Sequence, residues 1–139
     1  MMKLNLPARR GQSLVEFALV LPILLLLSVM VFDFGRVVYY SSALHNAARE
    51  GARYGIVHPN DVSGMKQTAI DYAIGLGLNF TDVDVDLPIP DPSQSYPPPQ
   101  VTVTVTYDFY PATPLASNFM VDDYITLIGE AVMKLEALP

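Results

Sequence analysis

The chain has 139 residues, about half of them hydrophobic, a formal net charge of −6 and no cysteine. That length carries one modest domain plus an anchor, and the missing cysteine excludes disulfides, thiolate catalysis and cysteine–zinc sites. Lys3, Arg9 and Arg10 precede the apolar run, whereas after Tyr54 only Lys66 and Lys134 are basic; so acidic a C-terminal region argues against nucleic acid, which needs clustered cations.

A short basic leader, residues 1–11, ends at Gly11. Gln12, Ser13, Leu14 and Val15 then lead to one carboxylate, Glu16, and Phe17 to Phe32 carry no charge. Taken as helix, residues 13–34 extend about 33 Å, enough for a hydrocarbon core of roughly 30 Å. The basic residues before the span predict a cytoplasmic N-terminus and an extracytoplasmic C-terminal domain. A cleaved secretory signal fits poorly, because the one small-x-small candidate, Ser41 and Ala43, lies well past the apolar run. Pro22, inside the span, removes one backbone donor and predicts a weakened turn.

The helical pattern continues through Leu44, Ala47, Ala48, Gly51, Ala52 and Gly55 at spacings of three and four. One helix from about Ser13 to Tyr54 is expected within residues 12–57, with Gly55 as a C-cap. Ala47, Gly51 and Gly55 form a ladder of small residues suited to close helix packing. Its partner is the protein's own sheet or a neighbouring subunit's helix, and the two are compatible at different faces.

Residues 58–139 read as an extracytoplasmic α+β domain. Asp61 suits the N-cap of a second helix from Val62 to about Leu76, with Gly75 and Gly77 weakening its end. The period then becomes two: Val83 to Leu87 and Val101 to Tyr107 alternate as strands. Between them Pro88–Pro99 predicts a stiff, extended loop. Ile125–Ile128 is strand-like, and alternation of Ala131, Met133 and Leu135 extends it as strand. The expected fold is a long helix, a second helix and a three-stranded antiparallel sheet with one wet face.

Catalytic patterns are missing. His45 and His58 show no metal-ligand spacing, and Asp33-Phe34-Gly35 spells a kinase tripeptide without the loops that give it meaning. Asp82, Asp84 and Asp86, read as one strand face, are weak calcium candidates; solvated edge acids are the commoner meaning. No enzyme activity and no cofactor are expected.

Gly11 with Glu16 five positions later, followed by an apolar helix, resembles the processing motif of type IV pilin-like proteins. The longer set Gln12–Ala18, Pro22, Asp33–Arg36 and Ala48–Tyr54 is similar to TadE-like proteins, pseudopilins of tight-adherence (Tad/Flp) pilus systems. The resemblance covers about residues 9–57. It implies that a prepilin peptidase cuts between Gly11 and Gln12. It further implies that the Glu16 carboxylate meets the new Gln12 amine of a neighbouring subunit. A lone carboxylate in a span costs about 2.5–3.5 kcal/mol on insertion scales, which such pairing relieves. The expected role is a minor pilin or pseudopilin that primes or enters a surface adhesion filament. Its expected partners are other pilin subunits, the assembly platform and membrane lipid. The alternative is a single-pass anchored binding protein with no filament role.

Overall fold

The structure, a computed structural model, describes residues 10–87, 100–113 and 122–135. The leader through Arg9, the proline-rich loop with Asp91, and Glu136 lie outside these residues. The element order is α1 (Arg10–Val57), α2 (Val62–Tyr72), a 3-10 turn (Phe80–Asp82), β1 (Val83–Asp86), β2 (Gln100–Phe109) and β3 (Ile125–Lys134). This is the expected α+β arrangement.

α1 is a single helix of 48 residues, continuous through Pro22, and about 72 Å long. It overruns the sequence-based bounds at both ends. The C-terminal overrun has a clear cause. Gly55 does not cap the helix; positive φ among the described residues occurs only at Gly75 and Gly77, at 84° and 65°. A Cβ on Gly55 would lie 2.9 Å from Met65 Sδ, so glycine serves close packing there rather than chain reversal. The last helical bond, from His58 N–H to the Tyr54 carbonyl, is 3.0 Å. Pro59 follows, and its ring disfavours helix at the residue before it.

α2 begins where Asp61 Oδ1 accepts the Gly64 N–H at 2.9 Å, satisfying one orphan donor of the first turn. It ends at Tyr72, short of the expected Leu76, because the chain turns through the left-handed glycines 75 and 77.

The sheet order is β1-β2-β3, antiparallel throughout. Val83 pairs with Val105 and Val85 with Val103; on the other side Val103 pairs with Ala131 and Phe109 with Ile125. Alternation puts Val101, Val103, Val105 and Phe109 on one face, all buried. Thr102, Thr104 and Thr106 occupy the other face and are more exposed. Burying each of the large apolar side chains contributes about 1.5–3 kcal/mol. What covers them is the second half of α1, through Leu44, Ala47, Ala48 and Ala52, with Met65 and Ala69 of α2. The packed body therefore includes the upper half of the long helix. In the lower half, Leu14 to Phe32, most side chains are exposed.

Candidate functional site

Three places on α1 bear on function. The first is its start. Gly11, Gln12 and Glu16 are exposed. The Gly11–Gln12 bond lies in the first helical turn, where N–H groups lack intrahelical partners. Gln12 Nε2 donates to Glu16 Oε1 at 3.4 Å, one turn away. Leu14, Val15 and Phe17 around this carboxylate are exposed and apolar. Glu16 therefore sits at the start of an exposed apolar stretch, its carboxylate facing the Gln12 side chain.

The second place is the ladder of small residues. Ala47 is fully buried. A Cβ on Gly51 would meet the Met65 carbonyl oxygen at 3.0 Å, Ala69 Cβ at 3.1 Å and Val103 Cγ1 at 3.3 Å. One on Gly55 would also reach Val101 Cγ2 at 3.3 Å. This face of α1 is thus occupied by α2 and the sheet of the same chain. A neighbouring helix has no room on it.

A glycine outside the ladder is tighter still. A Cβ on Gly129 of β3 would collide with the α1 backbone at Leu44, and would lie 2.6 Å from the Leu44 carbonyl oxygen and from His45 N. The isolated glycine in an apolar strand, Ile128-Gly129-Glu130, was the available signal for this close approach. The Glu130 N–H then points to His45 Nδ1 at 3.4 Å.

The third place is the exit from the apolar run, where sequence reasoning placed Asp33–Arg36 in the family resemblance but gave these residues no role. Asp33 is buried. Its carboxylate accepts the Ala112 N–H at 3.0 Å, the Thr113 N–H at 2.8 Å and the Thr113 hydroxyl at 2.6 Å. Arg36 Nη1 donates to it from one turn above at 3.1 Å. The Arg36 guanidinium also lies 4.8 Å from the Phe109 ring centre, a cation–π contact. Tyr40 meets Phe109 and Tyr107 edge-on at 5.8 and 5.4 Å. The segment following β2 is thereby fastened to the helix where it leaves its apolar half. Asp33 and Arg36 are neighbours in sequence, but nothing in Ala112-Thr113 marks them as partners of a residue 79 positions earlier.

At the opposite end, Asp61 joins α1 to α2. Besides capping Gly64, it accepts from Ser63 Oγ at 2.8 Å and from Tyr54 Oη at 2.9 Å. The Gly64 N–H, then the Ser63 and Tyr54 hydroxyls, hold its carboxyl below the usual range. The same bond to Asp61 pushes the Tyr54 phenol up.

The acidic run needs correction. Asp82 does not share a strand face with Asp84 and Asp86, because it belongs to the 3-10 turn before β1. Its carboxylate accepts the Asn79 N–H at 2.7 Å and closes that turn. Among the described residues no three acidic or histidine side chains come together as a metal site.

No curated protein and no solved structure matches the chain. Residues 11–53 match the model of the family described as TadE-like protein. That segment runs from the exposed Gly11 through Glu16, Asp33 and Arg36 to the packed ladder. The long N-terminal helix of this chain is therefore similar to the TadE-like family over residues 11–53.

Proposed function

We propose that the chain is a minor pilin or pseudopilin of a Tad-type pilus, made as a membrane precursor and drawn into, or priming, a surface adhesion filament. The match over residues 11–53 carries this reading. In support, α1 is long and apolar enough near its N-terminus to cross a membrane, and that stretch is not buried in the protein. The basic leader sets the N-terminus in the cytoplasm and the α+β body outside it. A prepilin peptidase cuts between Gly11 and Gln12. The freed Gln12 amine of one subunit then neutralises Glu16 of another as helices leave lipid for the filament core. The chain acts as a subunit and not as an enzyme, with other pilins and the assembly platform as partners.

The test is the mature N-terminus. Mass spectrometry of the protein from peptidase-containing membranes should find Gln12 as the first residue, and Gly11→Arg should leave the precursor uncut. An uncut wild-type chain, or normal maturation of Gly11→Arg, refutes the processing step. A wild-type chain left uncut would point instead to an anchored binding protein.

A further inference from the structure

Four exposed aromatic side chains of the domain lie at one level; Tyr72 of α2 and Phe80 of the 3-10 turn, also exposed, are not part of this set. Phe34 and Tyr39 on α1 are 71% and 64% exposed, and Tyr110 after β2 is 59% exposed. Tyr124, just before β3, is also exposed, and its ring lies 5.8 Å from that of Tyr110. Three chain segments thus contribute to one band.

Its height along α1 follows from contacts already described. Tyr110 directly follows Phe109, whose ring lies against Arg36 and Tyr40. Two residues later Ala112 donates to Asp33. The band therefore lies at the Asp33–Tyr40 level, directly beyond the last apolar residue of the span, Phe32. Seven residues of helix rise about 10 Å. The headgroup layer on each side of a bilayer is roughly 5–8 Å thick. Tyrosine is enriched at that depth because its ring is apolar and its hydroxyl is polar.

We infer that Phe34, Tyr39, Tyr110 and Tyr124 form an interfacial belt by which the folded domain itself, and not only its helix, sits in the lipid headgroup layer. The occupant is lipid because the belt is continuous with the exposed apolar half of α1, which leads straight into it. Asp33 is the positioning residue: by holding Ala112 and Thr113 it keeps the end of the sheet at the membrane surface. The domain then stands upright, with its far end, at Val57, about 36 Å further along the helix from Asp33. The inference rests on the membrane-spanning reading of α1.

The chain contains no tryptophan, so a single substitution creates the sole indole. Full-length Tyr110→Trp and Tyr124→Trp are reconstituted in phosphatidylcholine vesicles without bromine, with bromine near the headgroup end of the acyl chains to report on 110 and 124, and with bromine near the chain ends to report on the middle of the span. Leu25→Trp marks the span. Tyr72→Trp marks the body well beyond the belt, since Tyr72 lines a surface hollow with Glu50, Arg53 and Val57. The belt predicts blue-shifted emission and strong bromine quenching for Trp at 110 and 124, and red, unquenched emission at 72. Quenching at 25 without quenching at 110 or 124 overturns the belt while leaving the span intact. Blue-shifted but unquenched emission at 110 also overturns it, and assigns the band to a second copy of the chain. Absence of quenching at 25 refutes the spanning reading, and the belt falls with it.

Discussion

Gly129→Ala is the most demanding single-atom test of how α1 seats on the sheet. The added Cβ would lie 2.6 Å from the Leu44 carbonyl oxygen and from His45 N. Ordinary contact needs roughly 3.4 Å or more, so helix and strand must part by nearly 1 Å, and backbone cannot swing aside as a side chain can. A gap of 0.5–1 Å forfeits about a quarter to a half of each affected dispersion contact. Overpacking typically costs about 1–3 kcal/mol, and this site belongs at the upper end. About 3 kcal/mol lowers the folded-to-unfolded ratio more than a hundredfold. Gly35→Ala is the matched control: nothing lies within 4 Å of its Cβ, and alanine in place of a helical glycine gains about 0.8–1 kcal/mol. Both variants of the full chain are unfolded in detergent with urea, following tyrosine near-ultraviolet circular dichroism and amide exchange at Val103 and Val105. Loss at Gly129 with no loss at Gly35 is expected. An unchanged midpoint for Gly129→Ala at unchanged slope would refute the close approach of β3 to Leu44.

Three further outcomes follow from the site geometry. Asp33→Ala removes the acceptor of three hydrogen bonds from residues 112 and 113, a loss of about 1–3 kcal/mol confined to that segment; amide exchange at Ala112 and Thr113 should accelerate while membrane insertion is unchanged, and unchanged exchange would refute the latch. Asp61 has a folded pKa below its unfolded value, near 3.9, so its stabilisation of α2 is present above that pH and is lost as pH falls through the lower, folded value. Acid titration should therefore loosen α2 in the wild type, Asp61→Ala should be weakened already at neutral pH with a flatter acid profile, and identical profiles would remove Asp61 from the account. Glu16→Ala should enter membranes at least as well as the wild type, since a charge is gone, yet fail to co-purify with pilus subunits; normal piliation would leave Glu16 with no assembly role.

Much was legible in the residues alone, for a physical reason. The long helix, the second helix and the alternating strands are local patterns, set by side-chain periodicity over a few turns or a few residues of strand. Asp61 as a cap, and the basic leader followed by Glu16 and an apolar run, are also short-range signals. What only the tertiary structure decided depends on contacts between distant segments. The partner of Gly51 and Gly55 is Met65 with the valines of β2, so glycine at 55 is a packing residue and not a chain terminator. Gly129 matters because Leu44 lies against it. Asp82 closes a turn because Asn79 offers it an N–H, which takes it off the strand face. Asp33 reads in sequence as the edge of an apolar run. It becomes a buried anchor only when β2 ends beside it and Thr113 brings two donors to its carboxylate. Periodicity determines which face of an element is apolar, but the identity of the group that meets that face depends on the path of the whole chain.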